Sequence, residues 1–413
     1  MPGLDSLTYV TRACRVRAAL VGRYSAVLGL ITCAGLVAAG CVAARSAGMA
    51  KGDARGSALT VPIELPRSLA PKARVAGDLL NPRGILPLAD GSLLVAAAGT
   101  GDPEDPFTGS LLRLHDADGD GRYDGAGERT VLLDKQPSAN ILDIVRRDEV
   151  FGMAAVAEGD GTILVSVAFF LGPSTIFRVE DGDLSHWATV HGNINSLDYD
   201  IGRGAWLGIS SSADEIVWLR PGRGAERIVK IPPLAGGQDP VPGYVRYEPR
   251  TGAALVTLFS GSTRGEEGGE GTELEARAGG IVRVHPDSGA TEWIVTGLTA
   301  PTDLVVAPDG RLYVLEFCDG FADPLGTREA LHEGTSHGGF TRYSGRLLRI
   351  DLDARTVDVL AEGLDGPTNL GLAGSSIFIT EGMGTPGRSI PGPDGPVALE
   401  GFIEKVSLPA PSS

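Results

Sequence analysis

The sequence predicts an all-β chain, a six-bladed β-propeller of four-stranded antiparallel blades. Three observations carry this. The 413 residues contain 59 Gly and 27 Pro against 6% aromatic residues, a turn-rich composition. A strand-turn-strand phrase recurs six times at blade-like spacing. Between the copies lie further alternating strand pairs and no helical periodicity.

The chain opens with Arg12, Arg15, Arg17 and Arg23 ahead of the apolar run AVLGLITCAGLVAAGCVAA at 26–44, the pattern of an export signal. Its end, LVAAGC, resembles the lipobox of bacterial lipoproteins, which implies a signal peptide over 1–40 and lipidation of Cys41. Ala38 stands where Leu is commonest in that motif. An uncleaved anchor and an ordinary cleaved signal are the other two readings. Each places the protein outside the cytoplasm, in or beyond a bacterial cell envelope. Cys14 and Cys33 fall in the signal and Cys318 is left alone, so no disulfide is expected. Residues 41–71, small and polar at their start, are expected to form a flexible tether.

The propeller is expected over 72–408, with a short tail at 409–413. LNPRGILPLADGSLLVAAAG (80–99) matches APTDLVVAPDGRLYVLEF (300–317) and GPTNLGLAGSSIFITEG (366–382). Weaker copies start at 151, 194 and 242. Taking Leu94, Leu164, Trp206, Leu255, Tyr313 and Phe378 as equivalent gives intervals of 70, 42, 49, 58 and 65 residues; the longer ones hold loop insertions. Pairs such as GRLLRIDLDARTVDVLAEGL (345–364) supply the outer hairpin of each blade. The last unit has a single late strand, 402–408, so the N-terminal strand at 72–77 is expected to pair with it and close the ring.

Two insertions stand out. Residues 318–343, carrying His332 and His337, follow Glu316 and suit a lid; residues 260–280 are acidic and Gly-rich, a solvated loop. A formal charge of −16 excludes a phosphate backbone as partner. The pattern H-E-x-x-H, a paired C-x-x-C and a phosphate loop are all absent from the sequence.

In HDADGDGRYDGAGE (115–128), Asp116, Asp118, Asp120 and Asp124 match D-x-D-x-D-G-x-x-D, the front of a calcium loop. Alternate carboxylates converge when the chain curls about a cation, Gly121 allows the turn, and Arg122 would offer its carbonyl. Gly127 holds the twelfth place, with Glu128 one residue late. Structural Ca²⁺ is expected, because four crowded carboxylates repel unless neutralised. The alternative is a solvated acidic turn.

The phrases PTDLVVAPDGRLYVLEF and YSGRLLRIDLD resemble the six-bladed propellers of the gluconolactonase-like, NHL-repeat and soluble glucose/sorbosone dehydrogenase superfamily. Gluconolactonase-like members hold a divalent metal in the channel. The resemblance therefore implies that Asp303, Glu316, Asn369 and Glu381, from blades five and six, could face one sector as ligands of a second divalent metal. The plainer alternative is that these acids hydrogen-bond neighbouring blades. A quinone, implied by the dehydrogenases, finds no matching histidine motif among His115, His186, His191, His285, His332 and His337. Three functions follow: a monomeric binding module taking a small molecule, carbohydrate or protein at its top-face loops; a metal-dependent lactonase or phosphotriesterase; and a quinone-dependent sugar dehydrogenase. Binding stands first.

Overall fold

The computed structural model describes residues 57–142, 148–169, 172–180, 183–234, 238–259, 275–321, 333, 338 and 340–409. The signal segment, Cys41, His332 and His337 lie outside them. Each blade carries strands a to d from the channel outwards. Blade 1 comprises Pro82–Pro87, Leu93–Ala97, Gly109–Leu114 and Arg129–Gln136. Blades 2 and 3 run from Met153 to His191 and from Ile194 to Lys230; blade 4 runs from Pro242 to Leu298 and blade 5 from Pro301 to Leu364. Each innermost strand contacts its two neighbours, and Asn369–Ala373 contacts Pro82–Pro87, so the ring closes at six.

Blade 6 is built from both ends of the chain. Asn369–Ala373, Ser376–Glu381 and Gly401–Ser407 are joined by Lys72–Leu79, which pairs antiparallel with Lys72 opposite Val406. This is the closure expected from the sequence. It binds the termini by strand pairing, with the Lys72–Glu404 ion pair (2.8 Å) on its flank.

Val, Leu, Ile and Ala alternate on the strands because both faces of a blade pack on neighbours. One such inter-blade cluster joins Leu255, Ile281 and Val295 of blade 4 to Leu304, Val314 and Leu348 of blade 5. Leu59 and Val61 belong to the same cluster, which changes the expected tether. Leu59–Thr60 adds a parallel fifth strand to Ala290–Leu298, and Ser68 and Ala70 donate to Val359 O (2.9 Å) and Leu360 O (2.8 Å) on the outer strand of blade 5. Residues 57–71 therefore form a strap along two outer edges, covering backbone groups that an open edge would leave unpaired. Small polar composition hid this, because the anchoring is done by two apolar residues and by backbone bonds.

Strand connections alternate between the two ends of the ring. The described ends of the long ones (98–108, 137–152, 259–278, 317–344 and 382–400) lie at the end we term the top face; the longest at the other end is the acidic loop 115–128.

Candidate functional site

Each innermost strand pairs with strand b on one edge and turns its other edge to the channel, where its N–H groups need partners. Side chains of the preceding blade supply them. Asn369 Oδ1 accepts from Ile85 N (2.6 Å), Asp303 Oδ2 from Leu370 N (3.1 Å), Ser196 Oγ from Val245 N (3.0 Å) and Asp198 Oδ2 from Tyr247 N (2.5 Å). At the same place blade 1 has Gly84, where a Cβ would lie 2.8 Å from Ala154 O. There the backbones themselves approach.

Arg246 links these acids. Its Nη2 donates to Asp303 (2.6 Å) and its Nε to Leu304 O (2.9 Å), while Asn369 Nδ2 donates to Asp303 from the other side. Burial raises the carboxyl of Asp303, opposed by Arg246 and the Leu370 N–H; burial raises Asp198 too. Burial works against the Arg246 guanidinium, but Asp303 and Asp198 outweigh it and push its pKa up. The Tyr244 ring lies 5.3 Å from the guanidinium carbon, and its hydroxyl donates to Arg83 O (3.0 Å). Blades 4 and 1 are opposite in a ring of six, so this phenol spans the channel.

Glu316 and Glu381 do different work from Asp303 and Asn369. Each ends a strand b and caps the connection entering its own blade: Glu316 Oε1 accepts from Thr299 N (2.7 Å) and Glu381 Oε2 from Asp365 N (2.6 Å). Glu316 is fully buried and paired with Arg346 (2.5 Å). Burial raises its carboxyl pKa and Arg346 opposes the rise. Glu381 has no such cation; burial and the nearby Glu404 charge hold it well above the usual range, and its Oε1 has no partner. The expected quartet thus separates into an Asp303–Asn369 pair within the channel and two loop caps. It does not suit a divalent metal, because Asp303 and Glu316 already face guanidinium groups. Among the described residues, the one grouping of three or more metal-type side chains is Asp116, Asp118 and Asp120.

Those three bring carboxylate oxygens within 4.8 Å of one another. Each also accepts a loop N–H: Asp116 from Gly119 (2.8 Å) and Gly121 (2.9 Å), Asp118 from Asp120 (3.1 Å), and Asp120 from Arg122 (2.7 Å). Asp124 turns instead to the Arg122 side chain. Glu128 is buried and braces the loop through Ala117 N (2.8 Å) and Gly125 N (2.7 Å). The loop joins a hairpin of blade 1 and bolts it to the closing strand, where Tyr123 N donates to Val75 O (2.7 Å).

Among the described histidines, His191 is the exposed last residue of an outermost strand, away from the channel, and His186 bonds Thr189 Oγ1 (2.9 Å). The residues missed from sequence are the cations, Arg246 and Arg346. A buried acid demands such a partner, and both lie on strands of the same or adjacent blade.

No protein-family model and no curated protein matches the chain. Among solved structures it is similar to a protein of unknown function from Bacteroides thetaiotaomicron (TM-score 0.50, 12% identity, covering 81% of this chain and 75% of that one). A putative oxidoreductase (glucose dehydrogenase) from Thermus thermophilus is similar at TM-score 0.46 and 12% identity, over 82% of this chain and all of that one. A gluconolactonase from Xanthomonas campestris follows at TM-score 0.35 and 16% identity, over 82% and 98%. At such identities likeness speaks for the fold alone: this chain is a six-bladed β-propeller.

Proposed function

We propose that the protein is a binding module, exported and lipid-anchored through Cys41, that takes a small molecule, carbohydrate or protein at its top-face loops. The observation that carries this reading is the engagement of the channel acids. Asp303 holds backbone and Arg246, Asp198 holds Tyr247 N, and Tyr244 spans the ring, while the loop cap Glu316 holds Arg346. The long connections meanwhile gather at one end. The described ends of the 318–343 insertion are anchored there, with Phe340 against Phe317 (4.5 Å) and Phe259 (6.2 Å).

A divalent-metal hydrolase is the alternative, and it would require the Asp303 and Glu316 ion pairs to break before a metal could sit between them. Metal analysis with a lactone and phosphotriester screen separates the two. Binding predicts no EDTA-sensitive hydrolysis; hydrolysis lost on both EDTA treatment and Glu316→Gln would overturn it.

We further propose that Asp116, Asp118 and Asp120 hold a structural Ca²⁺, a role supported by the convergence of their oxygens. Calcium at about 100 times its Kd should stabilise the fold by about 2.7 kcal/mol, and Asp118→Asn together with Asp120→Asn should abolish the effect. A melting temperature indifferent to calcium would remove the claim.

A further inference from the structure

Buried polar groups are nearly always partnered. Among the described residues seven buried side-chain atoms are not, and five of them belong to four residues of one sector: Asn81 Nδ2 and Oδ1, Arg83 Nη1, Glu381 Oε1 and Arg388 Nη2. All four stand at the top end of blades 6 and 1. Asn81 and Arg83 flank Pro82, whose carbonyl accepts from Thr368 Oγ1 (3.0 Å); Thr368 in turn bonds Thr380 Oγ1 (2.8 Å), the neighbour of Glu381. Arg83 pairs with Glu149 (3.3 Å), and Arg388 pairs with the adjacent Asp148 (3.1 Å). These bonds are made by two of the four residues and by immediate sequence neighbours of the other two, and they place all four in one sector.

An unmet buried donor or acceptor costs about 1–3 kcal/mol. Backbone conformation explains only part of Asn81. Its φ of 55° is matched by 46° at Ala300 and 57° at Gly366, which hold the same position before blades 5 and 6. Those blades manage with no amide, so the Asn81 amide answers some other need. Asn81 is fully buried, and both ends of its amide are open.

Charge selects the ligand. Each guanidinium is already matched by a carboxylate, so the sector offers hydrogen bonds without a net positive charge. Across it three donors, on Arg83, Arg388 and Asn81, and the Asn81 amide oxygen are unmet. Hydroxyl groups, which accept and donate at once, meet that set.

We propose that the top end of the blade 6 to blade 1 junction binds a small neutral polyol through Asn81, Arg83 and Arg388. The proposal rests on the binding-module reading and gives that reading a ligand class.

Ligand-observed NMR on the full chain tests it, with glycerol and myo-inositol as probes and acetate as the anionic control. Saturable binding of at least one polyol is expected, weakened at least tenfold by Asn81→Ala, the residue this fold already accepts at Ala300. The polyol should raise the melting temperature of the wild type and not of the variant. Asn81→Gly, which copies the residue type at Gly366, serves if the first variant misfolds. Polyol binding unchanged in either variant, acetate binding in place of the polyols, or no probe binding with ordered water only on Asn81 in a crystal structure would each overturn the site. None of those outcomes touches the binding-module reading, which falls only to hydrolysis lost on both EDTA treatment and Glu316→Gln.

Discussion

Replacing Glu316 with Gln separates a structural acid from a catalytic one. The fully buried carboxylate has two tasks: Oε1 caps Thr299 N at 2.7 Å, and Oε2 faces the Arg346 Nε and Nη2 at 2.9 and 2.5 Å. A Gln side chain can keep the first bond, because its carbonyl oxygen still accepts. It then presents an amide NH₂ to a guanidinium, which leaves Arg346 without its counterion. Removing one partner of a buried pair costs about 3–5 kcal/mol. The Arg346 side chain is 20% exposed, so water recovers part of this, and about 2–3 kcal/mol is expected. For a domain this large, about 2 °C of melting temperature accompanies each kcal/mol, giving a loss of about 4–6 °C at fixed scan rate. Adding Arg346→Met to Glu316→Gln should restore most of that loss, since an apolar pair of similar volume is often as stable as a buried ion pair. A single variant as stable as the wild type would refute the reasoning. Should such a variant also lose a measurable hydrolysis, Glu316 would be a ligand or catalytic group.

The same geometry yields other expectations. Tyr244→Phe deletes the bond to Arg83 O and leaves that carbonyl unmet; a loss of about 1–2 kcal/mol is expected in denaturant titration, and an unchanged midpoint would show that the phenol does not hold the channel. Glu381 has a folded-state pKa above its unfolded value, so its favourable contribution is complete below the unfolded pKa and disappears as pH rises through the folded one. Glu381→Gln should therefore stabilise the protein at pH 7 and flatten the fall in stability as pH rises; a destabilised variant with an unaltered pH profile would contradict this. Val61→Ala, at a fully buried strap position, should cost about 2 kcal/mol, whereas Ile63→Ser, 82% exposed, should stay within about 0.5 kcal/mol. Equal effects of the two would mean that the strap is not docked.

The ring and its closure were readable in the sequence because both rest on patterns repeated along the chain. Six copies of one phrase give six blades, and a lone late strand at 402–408 needs a partner that only the N-terminal segment offers. The strap was not readable. Its anchoring depends on Leu59 and Val61 meeting Val295 and Ile294 across more than two hundred residues of sequence, and two apolar residues in a polar stretch make no pattern. The acidic loop was readable only in part, because spacing identifies Asp116, Asp118 and Asp120 as one convergent set but is blind to the Arg122 side chain that draws Asp124 away.

The two capping acids show why position in a repeat does not fix a role. Glu316 and Glu381 occupy one place in the phrase, and both cap the connection that enters their own blade. What differs is the third strand: blade 5 puts Arg346 opposite Glu316, whereas blade 6 puts Phe402 opposite Glu381. One carboxylate is thereby neutralised as an ion pair, and the other keeps an unpartnered oxygen while burial and the Glu404 charge raise its pKa. The change from Arg to Phe lies outside the repeated phrase. Yet it decides which acid is fixed in the frame by a cation and which keeps an unpartnered oxygen. The irregularity of this propeller is concentrated at the seam where blade 6 meets blade 1. There the repeat is least regular, since its outer strand comes from the other end of the chain, and there most of the unmet polar atoms gather.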